Sequence, residues 1–504
     1  MFKKLMNLSD GNLIWFLWPI LLVITPIILF GTPGYYGDDF NMLDSLDKHK
    51  GVLGSTLAWI DEYGIFYRPI GIFFLNSIYS IFGHNDGLMY GFSLAIYSVF
   101  IFLVYKSSIV FTSDKSLAIF IAIFFASFPF NATAFLQLSS IYMMFTGLCS
   151  LMIVMKLYSI DGKVFSNQII FLSLAWLILL LSYEQITGLI AVLFISAFMK
   201  HIDQGFFYSF KSSIQLNGFF IICTLFFISV FFFSPNNPKV ITLNELNDFS
   251  TTLNEPIMQN GVSEDLTSAM AQTNSFSQSR FDAVNSKVKK SLLFFSHNLS
   301  YAINEIIKRG SKGWFLLLLL FFTAILILFS PIQVPSKKLA LRQTLFGLTW
   351  FSSTLAPFFL YKSVHIPPYV LLIPSIGLAY STYGLFWLLQ LNQYKNFSIY
   401  LFKTILVLIV INFQIQQYGY FFGLKEELLF WNSAAVEFER NKSQITEEGT
   451  IEIKTLRRNN LHIFWLEKLV GRRYFFNKIG YNSSELSINY LSESNTLIIS
   501  DNNS

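Results

Sequence analysis

The sequence predicts an all-α polytopic membrane protein of about eleven transmembrane helices. Three observations predict it. Of 504 residues, 53% are hydrophobic and only 13% charged, against about 25% charged in soluble domains. Apolar runs of roughly 17–25 residues recur along the chain, the length that crosses a bilayer. Lys and Arg cluster in every second loop between those runs, as the positive-inside rule requires of cytoplasmic loops. The net charge of +5 follows from those loops and does not indicate a nucleic-acid partner.

Lys3 and Lys4 precede the first apolar run, 13–31, so the N-terminus is expected in the cytoplasm. That run is too long for the core of a cleavable signal peptide and lacks a small-residue cleavage site. The loop 32–86 then lies outside and carries short interfacial helices. Within it, Pro69–Phe82 is apolar but, at about 21 Å of helix, too short to cross a ~30 Å core. Pro69 suits a first helical position and Gly83 a helix end. Further spans are expected at 87–105, 116–134, 138–156, 167–184, 185–200, 217–234, 313–331, 343–361, 368–390 and 397–415. The intervening inner loops hold Lys106, Lys115, Lys156, Lys163, Lys200, Lys211, Lys337, Lys338, Arg342 and Lys395, whereas the outer turns near 135–138 and 184–185 hold neither Lys nor Arg. A large outer loop, 235–312, ends in an amphipathic stretch, Lys287–Arg309. The chain thus divides into a transmembrane domain, 1–415, and a small α+β tail, 416–504, on the outer side. Cys149 and Cys223 fall inside apolar runs and read as buried thiols rather than a disulfide or metal pair.

Chemistry concentrates in the first outer loop. Tyr36-Gly37-Asp38-Asp39-Phe40 stands at one end and Tyr67-Arg68-Pro69 at the other. An aspartate here caps a helix over 40–50, with Asp39 at the N-cap. A carboxylate facing a membrane-side cleft can instead take the proton of an attacking hydroxyl. Asp38 and Asp39 point about 100° apart on a helix, so one acts and the other supports. A divalent cation is compatible with such a pair but not required; no His/Cys zinc spacing exists. Arg68 either pairs locally with Asp61, Glu62 or the aspartate pair, or grips a phosphate through its planar fork. Glu184 sits at an outer junction of two apolar runs, either as a solvated turn residue or as a substrate contact. In the outer turn 131–140, Asn131, Thr133 and Gln137 are candidate sugar contacts, with ordinary hydrated loop polarity as the alternative. Lys362 breaks the positive-inside pattern, and His365 stands close by; both are candidates for an anionic partner, with snorkelling as the alternative for Lys362.

Three motifs in order carry a family resemblance. Gly37-Asp38-Asp39-Phe40 after the first span, Tyr183-Glu184-Gln185 at an outer junction, and Tyr369 through Pro374-Ser375-Ile376-Gly377 in a late span resemble the GT-C superfamily of integral-membrane glycosyltransferases. The likeness is greatest to the branches that use polyprenyl-phosphate sugars. It implies an inverting transfer of sugar from an outward-facing lipid-linked donor to a glycan, lipid or protein acceptor. It assigns Asp38 or Asp39 as base or acceptor-positioning group. Donor phosphate would fall to Arg68, Lys362 and His365, and substrate contacts to Glu184, Tyr36, Tyr67 and Gln137. No cofactor is implied, and the expected setting is a bacterial inner membrane among its lipids, with the C-terminus outside. Two departures stand out: Tyr183 replaces the family's Lys, and His365-Ile366-Pro367-Pro368 replaces its Glu-Arg. The alternative reading is a transporter or flippase of a lipid-linked glycan, which would use the same residues without making a bond. A third is a non-catalytic assembly component.

Overall fold

The structure, a computed structural model, describes residues 13–34, 38–65, 67–82, 85–159, 167–233, 299, 302–330, 334–357, 368–389, 395–448, 450–454, 486–491 and 496–501. The chain opens with α1 (Leu13–Phe30), α2 (Asp38–Lys48), α3 (Val52–Tyr63) and α4 (Pro69–Phe82). Next come α5 (Asp86–Thr112), α6 (Lys115–Ser127), α7 (Pro129–Leu136), α8 (Ile141–Tyr158), α9 (Asn167–Leu180), α10 (Leu189–His201) and α11 (Phe206–Phe233). The last helices are α12 (Gly310–Leu328), α13 (Lys337–Leu355), α14 (Leu372–Leu389) and α15 (Lys395–Glu448). Among the described residues, seven helices are long and apolar enough to cross a membrane, or eight when the bent pair α6–α7 counts as one. The chain is a helical membrane-spanning protein. The expected spans at 13–31 and 167–184 contain shorter apolar helices, Leu17–Phe30 and Asn167–Leu180. That at 343–361 falls on α13, which opens with Lys337, Lys338 and Arg342. Helix α4 has 14 residues, as the sequence required.

Three expectations need correction. The run 116–134 is not one helix: α6 and α7 meet at 61°. Phe128 is extended at the break and Pro129 starts the next helix, because the residue before proline is pushed out of the helical region. The break turns 129–140 into the bundle, so Asn131, Thr133 and Gln137 are buried rather than part of a hydrated outer turn. Buried side chains satisfy the freed carbonyls: Asn131 Nδ2 donates to Phe125 O (2.7 Å), and Gln417 Nε2 to Ala126 O (2.9 Å) and Phe128 O (3.0 Å). Second, the tail does not begin at residue 416. Helix α15 runs unbroken for 54 residues, about 80 Å; it holds no proline, and Gly419 and Gly423 stay helical within it. Beyond it, β1 (Thr450–Lys454), β2 (Leu486–Leu491) and β3 (Thr496–Asp501) form an antiparallel sheet in the order β1-β3-β2. Third, Cys149 and Cys223 are free but only half-buried.

Two ends of the bundle are distinguished by their bonds. At one, Lys200 Nζ donates to Tyr158 O, Lys403 Nζ to Leu328 O, and Lys338 and Arg342 both pair with Asp203. At the other lie the end of α1, the start of α5, the α6–α7 break and α2–α4; Thr32 Oγ1 donates to Asp86 Oδ2 there (2.6 Å). Helix α13 packs closely on α14. A Cβ on Gly377 would stand 2.5 Å from Phe351 N, and one on Gly384 2.5 Å from Ala340 O. Small residues at both positions let the two backbones approach, which is how apolar helices associate when lipid offers no hydrophobic contrast. This crossing holds the late-span motif in place behind the candidate site.

Candidate functional site

The candidate site forms at the second of these ends, around the turn Leu138–Ser140 and the first turn of α8. Two polar clusters meet it from opposite sides.

Asp39 supplies the first. Helix α2 begins at Asp38 rather than after Asp39, so Asp39 is not the N-cap of its own helix. Its carboxylate is 0% exposed. Oδ1 accepts from Tyr79 Oη (3.0 Å) and from the Ser139 backbone N–H (2.6 Å). These bonds tie α2 to α4 and to the turn before α8. A charge-assisted bond of this length outweighs a neutral one, contributing about 1.5–3 kcal/mol. Both of these partners are donors, so they hold the carboxylate as an anion. Among the described residues, no three His, Cys, Asp or Glu side chains converge as a metal site would need.

Arg68 supplies the second. It precedes Pro69 at the head of α4 and has φ +57°, a left-handed conformation that costs a non-glycine residue about 1–3 kcal/mol. Its surroundings enforce that conformation. Tyr67 is stacked between Trp59 and Phe231, each ring at 6.0 Å and 15°, and Trp59 Nε1 donates to Tyr67 O (3.0 Å). With Tyr67 fixed, Arg68 reaches across to the α9–α10 junction. Its Nε donates to Glu184 Oε2 (2.6 Å), its Nη2 to Glu184 Oε1, and its Nη1 to Tyr142 Oη (2.7 Å). The guanidinium lies 4.8 Å from the Tyr67 ring centroid and 5.0 Å from that of Tyr183. Arg68 is 12% exposed through its side chain, whereas Glu184 is 1% exposed overall. Two corrections follow. Arg68 pairs with Glu184, a partner outside its own loop, and Glu184 is not a solvated turn residue. A bidentate fork in a water-poor junction selects the one carboxylate that can be buried with it.

Backbone packing sets the register of this pairing. A Cβ on Gly71 would run into Ser182 O and stand 2.7 Å from Tyr142 Cδ2. Helix α4 therefore lies directly on the α9–α10 junction, and Ile70 N donates to Leu181 O (3.4 Å). Gln185, next to Glu184, turns the other way: its Nε2 donates to Thr354 O (3.0 Å) and Val370 O (2.8 Å), at the end of α13 and the approach to α14. Asn131 Nδ2 also reaches Ser375 Oγ (3.2 Å). All three sequence motifs thus meet around α7 and the start of α8.

Of the sequence-derived candidates, the fold brings Asp39, Arg68, Glu184, Tyr67 and Gln137 to this neighbourhood. Tyr67 is buried in the core, and Gln137 Nε2 donates to Ser139 Oγ (3.2 Å) at 4% exposure. Tyr36, Lys362, His365 and the Asp38 side chain lie outside the described residues. The sequence reading missed Tyr142, Tyr79 and Ser139. Tyr142 could have been found only by its place in the first turn after the short turn 137–140; nothing local marks it as the partner of Arg68. No protein-family model, curated protein or solved structure matches the chain.

Proposed function

We propose that this chain is an inverting glycosyltransferase of GT-C type. It would move a sugar from a polyprenyl-phosphate carrier to a glycan, lipid or protein acceptor at the membrane surface. The observation that carries this reading is the assembly of Asp39, the 137–142 turn and the Arg68–Glu184 pair at one end of an apolar bundle. Three segments far apart in sequence contribute charged groups there. Two of the motifs behind the family resemblance, Gly37-Asp38-Asp39-Phe40 and Tyr183-Glu184-Gln185, lie in these segments, and the third touches α7 through Ser375 and Asn131.

In this reading Asp39 is committed to Tyr79 and Ser139, so Asp38 takes the acceptor proton. The acceptor hydroxyl oxygen bonds to the anomeric carbon while its proton passes to the Asp38 carboxylate. The bond from that carbon to the phosphate oxygen breaks, and the phosphate leaves with the electron pair. Arg68, neutralised in part by Glu184, is a positioned dipole more than a free cation, so Lys362 and His365 complete the phosphate side. Preplaced charge of this kind is usually the largest contribution to rate. The reading includes eleven crossings, an N-terminus in the cytoplasm of a bacterial cell, the 32–86 and 235–312 loops outside, and an α+β region after α15.

One observation favours the rival class. Transporters build substrate sites from broken helices, and α6–α7 is such a break. At this break, however, Gln417 and Asn131 already occupy the freed carbonyls, which leaves them poor ligands for a cargo ion. The test is Asp38→Asn and Asp39→Asn, each assayed in membranes against a panel of polyprenyl-phosphate sugars. Loss of turnover in Asp38→Asn with correct folding supports transfer; full turnover in both variants removes the catalytic assignment.

A further inference from the structure

A second charged cluster lies at the same end of the bundle, away from Arg68. Helix α1 ends at Phe30, and two lysines from distant segments reach its last carbonyls. Lys312 Nζ donates to Leu29 O (2.8 Å), and Lys425 Nζ donates to Phe30 O. Arg309 joins them, its guanidinium 4.4 Å from the Phe422 ring centroid and 5.6 Å from that of Phe30. Lys312 Nζ stands 5.8 Å from the same Phe30 ring. Phe30 and Phe422 pack edge to face at 5.2 Å, forming an aromatic floor under the cations.

Helix capping explains part of this. Cations near a helix C-terminus answer its partial negative charge, and lysine commonly bonds the last carbonyls. One lysine would suffice for that, and Arg309 takes no part in it. Each lysine has three N–H donors, and the bond to a helix carbonyl uses one. Arg309 Nε is buried and has no acceptor among the described residues. The acids nearby are Glu305, Asp86 and Glu426. Glu305 is shared between Lys308 (2.8 Å) and Arg309 (3.3 Å), and Asp86 Oδ2 accepts from Thr32. With Lys308 included, four cations face three carboxylates. The cluster also stands on the end of the bundle away from Lys106, Lys115, Lys156, Lys200, Lys211, Lys337, Lys338, Arg342 and Lys395, so the loop-charge pattern that sets topology does not account for it.

We propose that Arg309, Lys312 and Lys425 form a phosphate-binding site at the membrane surface. Their free N–H donors converge above an apolar floor, an arrangement suited to a phosphate oxygen cluster carried on an apolar tail. The site is built from α1, α12, α15 and the turn before α12, none of which supplies Arg68 or Glu184. It stands whether or not the chain transfers sugar. The same chemistry serves a phospholipid headgroup or free phosphate from solution, and the test separates the two.

The full-length protein is reconstituted in phosphatidylcholine nanodiscs containing graded phosphatidylglycerol, and phosphatidylglycerol retained on the protein is measured by native mass spectrometry. Arg309→Gln, Lys312→Gln and Lys425→Gln each lower its apparent affinity about fivefold, the effect of one basic residue on an anionic headgroup. Lys308→Gln removes the same charge next door and leaves affinity within about twofold, because Lys308 is bonded to Glu305 and its side chain is exposed, away from the aromatic floor. Glu305→Gln frees Arg309 and strengthens binding, which keeps the test sharp if Lys425→Gln folds poorly. Inorganic phosphate added in solution at low millimolar concentration competes if free phosphate is the ligand and fails to compete if the headgroup is. The proposal is overturned if Lys308→Gln weakens retention as much as Lys312→Gln and Lys425→Gln, which would mean diffuse charge attraction. It is equally overturned if the three variants and Glu305→Gln all bind like the parent.

Discussion

Replacing Glu184 by Gln tests whether the Arg68 pair holds the site together. Glu184 is almost wholly buried and accepts two guanidinium bonds. Removing its charge takes from Arg68 the carboxylate that accepts two of its guanidinium bonds, at 12% side-chain exposure. Stranding one member of a buried pair costs about 3–5 kcal/mol, whereas replacing both by apolar residues of similar size is often neutral. Glu184→Gln and Arg68→Met should therefore each lose about 3–5 kcal/mol in denaturant unfolding in detergent micelles. The double variant Arg68→Met/Glu184→Met should recover most of that loss. Sugar-transfer turnover should not recover with it, because the double variant regains packing without the charged groups. Additive losses in the double variant would refute the coupling. Recovery of stability and turnover together would refute the functional role and leave the pair purely structural.

Other outcomes follow from the same geometry. Gly71→Ala should lower stability by about 1–3 kcal/mol and reduce turnover, since a Cβ there presses on Ser182 O and Tyr142; unchanged unfolding would show that α4 does not rest on that junction. Gln417→Leu strips the donors from Ala126 O and Phe128 O and should cost about 1–3 kcal/mol, read as a lower unfolding midpoint at unaltered helix content by circular dichroism. Asp39→Ala should cost about 1.5–3 kcal/mol through its bonds to Tyr79 and Ser139, and Tyr79→Phe should cost less because the Ser139 amide remains.

Much of the fold was legible because apolar run length carries it. Pro69–Phe82 was readable as too short to cross, and its bounds agree with α4. The break at Phe128 was written in Pro129 yet hidden by the apolar residues on both sides, which let the run pass as continuous. What satisfies the break, Gln417, comes from 289 residues away in the chain and has no local signature. The same distance problem hid the central pairing: Arg68 and Glu184 are 116 residues apart, and each alone has nearer partners on paper. Asp39 was legible as important but not in its role. Its neighbours Gly37 and Asp38 look like a helix start with Asp39 at the cap, and only the approach of Ser139 and Tyr79 turns it into a tertiary tie. Gln137 and Tyr67 were singled out for polarity and position; that both are buried depends on packing, which sequence does not reveal.

Bond-making separates the central proposal from its rival most directly. Purified protein in liposomes holding polyprenyl-phosphate sugars, with an acceptor extract on one side, can be followed for free polyprenyl phosphate and for intact donor crossing the bilayer. The account predicts release of free polyprenyl phosphate that falls at least a hundredfold in Asp38→Asn, on the order of a general base's contribution, while Asp38→Asn stays folded. Intact donor crossing the bilayer without any release of polyprenyl phosphate would contradict it.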